Sequence, residues 1–272
     1  MNAEQDVRDV IFRSVRDKKY RAVIIAEQPG VLSGMRYLEQ ACATLGIRLV
    51  KCKKDGKKVV QSEAIVVLEG TAKQVALAEE QLIGWISKAS GIATAARKAR
   101  AAAGRKINVV SGAWKKMPSP IKDLVRQAIL DGGVQYRIAD PPFVYLDKNY
   151  VKILGGVEKA LQSVCARKGK DITTIVQLKS EGETLLMESV LAATMGASII
   201  MIDTGRKENI EEVDLILRRE RLRHKVKVAF GGNIKIEDLA DLKKKPIEIV
   251  DIGRTIVDGP LLDLRLDVLK EV

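Results

Sequence analysis

The 272-residue chain has one histidine, His224, set in the cationic run Arg219 to Lys227. A single imidazole excludes a histidine-rich metal site and most schemes that need a histidine base. Within that run His224 reads as a solvated surface residue. Cysteine is scarce too. Cys42, Cys52 and Cys165 are odd in number and far apart, and none sits in CxxC or CxxH spacing. They read as core or incidental thiols, not metal ligands. Aromatic residues make up only 4% of the chain and no RNP-like stretch occurs. Net charge is +12, from 47 Lys and Arg against 35 Asp and Glu, but the cations are scattered along the chain. A nucleic-acid partner is therefore not expected, and a solvated charge-rich surface is. No apolar run approaches the roughly 18 to 20 residues that span a bilayer, and nothing from Met1 to Arg21 resembles a secretory h-region. The expectation is a cytoplasmic protein without a membrane partner.

Apolar residues make up 46% of the chain, enough for one large domain or two ordinary ones. Val7 to Arg16 carries apolar residues at helical spacing, and Ala22 to Ala26 is a β-branched run ending at the turn Gln28-Pro29-Gly30. Helical periodicity from Gly34 to Leu45 stops at Gly46. Ile47 to Lys51 and Ala64 to Leu68 then read as strands around Asp55-Gly56. Val75 to Ala103 is alanine-rich, lacks proline and ends at Gly104, the pattern of one long helix or two abutting ones.

Beyond Gly104, short apolar strands alternate with helical spacers. The strands are Ile107 to Val110, Val144 to Leu146, Thr174 to Leu178, Ser198 to Ile202, Lys227 to Phe230 and Ile247 to Ile252. Strands apolar on both faces predict a parallel sheet, and six in about 150 residues favour a barrel, with an open doubly wound sheet as the competing arrangement. Asp203 falls at the C-terminal end of its strand, where barrel sites are built. Gly231-Gly232-Asn233 and Gly253-Arg254 each follow a late strand. Glycines there let backbone N–H groups approach an anion, so these turns are candidate phosphate loops, although glycine is ordinary at strand ends.

Several landmarks recur in the order and near the spacing of one family. They are Gly30-Val31-Leu32-Ser33-Gly34, Leu68-Glu69-Gly70, Ala78-Glu79, Ser90-Gly91-Ile92-Ala93-Thr94, Gly132-Gly133-Val134, Ile199 to Asp203, Gly231-Gly232 and Gly259-Pro260-Leu261-Leu262-Asp263. Together the chain resembles the quinolinate (nicotinate-nucleotide) phosphoribosyltransferases over almost its whole length. The resemblance implies an N-terminal α/β open sandwich with a connecting helix over residues 1–105, an incomplete TIM-like α/β barrel over 106–258, and a tail over 259–272 returning to the sandwich. It further implies a homodimer with shared sites, magnesium, phosphoribosyl pyrophosphate as co-substrate, and a small heteroaromatic acceptor.

By the same resemblance Lys115 falls on the lysine of the family's Arg-Lys-Thr-Thr-Pro segment, Arg137 on the arginine of Asn-His-Arg, and Asp203 on the strand-end acid that assists the metal or ribose. Gly231, Gly232 and Gly253 fall on the phosphate-loop glycines, with Arg254 beside them. The other reading makes Lys115 and Arg137 surface cations and Asp203 a helix cap. Elsewhere the chain departs from the pattern. Glu80 stands where the family supplies an arginine across the dimer, Trp114 replaces an arginine, Tyr136 a histidine, Asp147 a lysine and Gln177 an acid. Lost cations and added acids weaken a carboxylate clamp. The expectation is thus a phosphoribosyltransferase-like enzyme whose acceptor site, built from Trp114, Tyr136, Glu80 and Asp147, is altered for quinolinate. The alternative is a non-catalytic paralogue that binds a nucleotide or sugar phosphate.

Overall fold

In a computed structural model the described residues are 6–165, apart from the side chain of Cys165, and 172–272. The thiol reading of Cys165 lies outside them. In chain order the elements begin with α1 (Val7–Ile11), β1 (Lys19–Ala26), β2 (Gly30–Val31), α2 (Met35–Leu45), β3 (Arg48–Cys52), β4 (Lys58–Val59), β5 (Ala64–Thr71) and α3 (Ala72–Ala103). There follow β6 (Asn108–Val110), α4 (Lys122–Asp131), β7 (Phe143–Leu146), α5 (Lys148–Leu154), α6 (Val157–Cys165), β8 (Thr173–Leu178) and α7 (Gly182–Thr194). The last are β9 (Ile199–Ile202), α8 (Glu208–Arg219), β10 (Lys227–Phe230), α9 (Leu239–Leu242), β11 (Ile249–Asp251), α10 (Arg254–Val257) and β12 (Leu264–Glu271). The chain forms two compact units. One holds Met1–Arg97, Met117–Gly133 and Asp258–Val272, the other Lys98–Lys116 and Val134–Val257.

The first unit is built on an antiparallel sheet in the order β12-β1-β5-β3. Ala22, Ile24 and Ala26 alternate along β1 and join Leu38 and Cys42 of α2 and Val75, Leu82 and Ile86 of α3 in one buried cluster. The alanine-rich segment is one uninterrupted 32-residue helix. Val75, Ala78, Leu82 and Ile86 recur every three or four positions and pack into the cluster on the sheet, whereas from Ile86 to Ala96 the helix is buried on most sides. The tail runs beside this helix. Gly91 makes room for it, since a Cβ there would stand 2.1 Å from the Pro260 carbonyl oxygen. Beyond it, β12 pairs with β1 from Ala26↔Leu264 to Tyr20↔Glu271. The N-terminal helix is shorter than its periodicity predicts: α1 stops at Ile11 and a 3₁₀ turn covers Arg13–Val15. None of its residues is buried, so no packed face extends it.

Among the described residues the second unit contains six parallel strands in the order β6-β11-β10-β9-β8-β7. From β7 to β11 each strand lies beside its successor, and β6 follows β11. That is the cyclic order of a barrel, without the reversal that defines a doubly wound sheet, so the competing arrangement is excluded. Among the described strands β6 and β7 do not pair, and the curled sheet is an incomplete barrel. Val110, Ile175, Ile199, Met201, Ala229 and Ile249 form the cluster on one face. Their alternating neighbours Val109, Val176, Ile200, Val228 and Val250 are buried as well, as expected of a parallel sheet covered on both sides. After β10 the helix α9 covers only Leu239–Leu242, and before it the Asp238 side chain accepts from the Lys235 N–H and holds a turn.

Candidate active site

Parallel pairing brings the C-terminal ends of β8, β9 and β10 level, with Leu178 and Phe230 both opposite Ile202. The residue after Ile202 is Asp203. Its side chain is only 18% exposed, and Oδ2 accepts from Gln177 Nε2 at 2.5 Å and lies 3.0 Å from Lys179 Nζ. Asp203 is therefore not the cap of the next helix. The residue that does cap a helix is Asp147, whose Oδ1 accepts from the N–H groups of Asn149 and Tyr150 at 2.8 and 3.1 Å and starts α5. Its Oδ1 is engaged in that cap, while its charge still acts on the nearby Tyr145.

A second acid stands nearby at the end of β11. Asp251 Oδ1 accepts from the Gly112 N–H at 3.0 Å and thereby holds the 3₁₀ turn Gly112–Lys116 that carries Trp114 and Lys115. Burial pushes the Asp251 carboxyl above its ordinary value, the Gly112 N–H opposes that, the charge of Asp203 adds to it, and Lys115 and Lys116 temper it. Both acids flank Gly231. A Cβ there would lie 3.5 Å from Asp203 Oδ1 and 3.6 Å from Asp251 Cβ. Lys115 Nζ sits 5.0 Å from the centroid of the Tyr145 ring. Burial drives the Tyr145 hydroxyl well above the usual phenol range, and the charges of Asp251, Asp203 and Asp147 reinforce it. Tyr145 therefore stays a neutral hydroxyl at any physiological pH.

Trp114 and Tyr136 meet edge to face at 5.9 Å, and the Trp114 Nε1–H donates to the Tyr136 carbonyl at 2.8 Å. Arg137 lays its guanidinium 5.0 Å from the centroid of the Tyr136 ring and is exposed. Lys115 is exposed as well. These four side chains, Asp203 and the glycine turns all belong to the second unit. Glu80 belongs to the first, on α3, where Arg8 donates to its Oε1 at 2.6 Å.

The glycine turns have local reasons to be glycine. Gly232 has φ +103 and lies against Gly205, whose N is 2.4 Å from where a Cβ would be; the Gly205 N–H donates to the Gly231 carbonyl at 3.0 Å. Close approach of the two loops thus requires Gly232 whatever it binds. Gly253 faces Ala113, 3.3 Å from the Ala113 Cβ to where its own would be, and Arg254 opens the four-residue α10.

As for magnesium, no group of three or more His, Cys, Asp or Glu among the described residues is placed to hold a metal ion. Two carboxylates flanking one glycine, Asp203 and Asp251, suit the ion's other mode, in which one or two acids share it with substrate phosphates and water. Asp251, Tyr145 and Lys179 were missed as site residues from the sequence. Asp251 and Lys179 carried a signal, since Lys179 follows a short apolar strand just as Asp203 does and Asp251 is the one charged residue near the end of another.

The strand ends of this sheet gather acids, cations and glycine turns, and the family match places the chain among the phosphoribosyl transferases. Specifically, the chain is a member of the quinolinate phosphoribosyl transferase family, whose N-terminal domain model matches residues 9–90 and whose C-terminal domain model matches residues 92–267. The probable carboxylating nicotinate-nucleotide pyrophosphorylase of Archaeoglobus fulgidus is 27% identical over 260 residues, covering 94% of this chain and 97% of that one. The human carboxylating nicotinate-nucleotide pyrophosphorylase is 28% identical over 256 residues, covering 93% and 84%. The solved nicotinate-nucleotide pyrophosphorylase from Francisella tularensis matches the fold with a TM-score of 0.82 at 21% identity, covering 98% and 91%. These similarities do not favour the non-catalytic alternative.

Proposed function

We propose that the chain transfers phosphoribose from phosphoribosyl pyrophosphate to quinolinate, giving nicotinate mononucleotide, pyrophosphate and carbon dioxide. The observation that carries this reading is the family match, which spans nearly the whole chain. Two departures that argued against a dicarboxylate weaken in the folded chain. The charge of Glu80 is paired with Arg8, and one oxygen of Asp147 is engaged in a helix cap.

In this reading Gly231, Gly232, Gly253 and Arg254 bind the ribose phosphate with Arg137. Asp203 and Asp251 hold magnesium, which when bound neutralises the leaving pyrophosphate. Lys115 places its ammonium over the neutral Tyr145 ring and contacts the leaving group or the acceptor. Trp114 and Tyr136 stack on the acceptor ring. Trp114 supplies no bidentate clamp where the family uses arginine, so quinolinate should bind weakly and show a high KM. The reading also includes a cytoplasmic homodimer with Glu80 near the partner's site, to be checked by analytical ultracentrifugation. Among the described residues no helix is long and apolar enough to cross a membrane.

The test is to incubate the protein with magnesium, phosphoribosyl pyrophosphate and quinolinate and to follow nicotinate mononucleotide by mass spectrometry. Product should form and should vanish in Asp203→Ala. Absence of product from folded protein that still binds phosphoribosyl pyrophosphate would move the acceptor to another heteroaromatic ring.

A further inference from the structure

A cavity of about 390 Å³ opens in the second unit where the start of α5, the turn between α5 and α6, and the end of β8 meet. That volume falls within the usual range for small-molecule sites. Its lining is strongly biased in charge: Lys148, Lys152 and Lys179 face a single acid, Glu188, which accepts a hydrogen bond from the Ser180 hydroxyl. Among the described residues no carboxylate pairs with Lys148 or Lys152. Two uncompensated ammonium groups on one concave wall raise the local concentration of anions.

Gly155 and Gly156, with φ +83 and +122, form the floor at the start of α6. No atom lies within 4 Å of where a Gly156 Cβ would be, so this stretch of main chain is open to the cavity. The Gly155 and Gly156 N–H groups are engaged with the Lys152 and Val151 carbonyls in the cap of α5, so the charged side chains, not the main chain, supply the contacts to an anion.

The cavity is also wired to Asp203. Lys179 lines it while standing 3.0 Å from Asp203 Oδ2. Gln177 lines it while its Nε2 donates to Asp203 and its Oε1 accepts from the Lys148 N–H at 3.0 Å. It lies at the β7–β8 side of the sheet, whereas the glycine turns follow β10 and β11. With neighbouring strands about 4.8 Å apart, the two regions are roughly 10 to 14 Å from each other. The α5 lysines and the glycine turns thus belong to different ends of the sheet.

We propose that this cavity is a second anion site, taking a phosphate group, and that Lys179 links its occupancy to Asp203. The inference stands apart from the transfer reading, because it requires phosphate binding and no acceptor. Inorganic phosphate is titrated calorimetrically into the full chain without magnesium, beside the variants Lys148→Gln/Lys152→Gln and Arg254→Ala. The expected result is a binding event that weakens about ten-fold or more in the double variant, as loss of charge-assisted contacts requires, and that persists in Arg254→Ala. Circular dichroism should show both variants folded, since the substituted side chains are exposed. A second arm adds saturating phosphoribosyl pyrophosphate. If it displaces the phosphate, the cavity holds part of that substrate; if both bind together, the ligand is a separate phosphorylated metabolite. Phosphate binding that is unchanged in the double variant, or that is lost only in Arg254→Ala, would overturn the proposal, as would no binding at all.

Discussion

At the scale of single residues, the most informative group is Asp251. Its carboxyl holds its proton to a higher pH in the folded chain than in the unfolded one. The native state therefore binds more protons from the ordinary aspartate value of 3.8 upward, and stability falls as pH rises through that window. Asp251→Asn keeps a carbonyl to accept from Gly112 but removes the titration. Urea unfolding in magnesium-free buffer should show variant and wild type alike at low pH, with the variant progressively more stable towards neutrality; parallel pH profiles would contradict this. Cys42 and Cys52 offer a second residue-scale prediction. Burial, joined by nearby acid charge, pushes both thiols up to about 11, so little thiolate exists near pH 8. Peptide mapping after native iodoacetamide treatment should find both largely unmodified, and both alkylated once the chain is unfolded.

At the scale of elements, two substitutions separate helix capping from close packing. Asp147→Ala removes an oxygen shared by two N–H groups at the start of α5 and should cost about 1 kcal/mol in chemical denaturation. Gly91→Ala should cost more, about 3 kcal/mol or above, because the new methyl meets the Pro260 carbonyl, part of the backbone, instead of a movable side chain. The elements were legible to different degrees. The stripe of α3 and the β-branched cores of β8, β9 and β10 could be read from periodicity, since both depend on which residues recur. The two-residue strands β2 and β4 could not, because only their mutual pairing makes them strands. Val7, Val10 and Ile11 kept a helical spacing without a face to bury it, and α1 stopped early.

For the whole molecule, the last eleven residues are decisive for the first unit. Leu262 and Leu264 are buried in its core, and β12 covers the outer edge of β1. A chain ending at Leu261 should expose that edge and the core beneath it, and should aggregate in size-exclusion chromatography, while a chain lacking only Val272 should elute like the wild type. The sequence by itself determined the alternation of strand and helix, the parallel character of the second sheet and the strand-end position of Asp203. Each of these follows from local periodicity and from where an apolar run stops. Only the tertiary structure decided that the sheet curls in barrel order, that Asp251 and Asp203 flank one glycine, and that Lys148, Lys152 and Lys179 share a cavity. It also decided that Asp147 serves α5 while Glu80 answers Arg8 across 72 positions of chain. Such juxtapositions join residues far apart in the sequence, and only packing and sheet pairing bring them together.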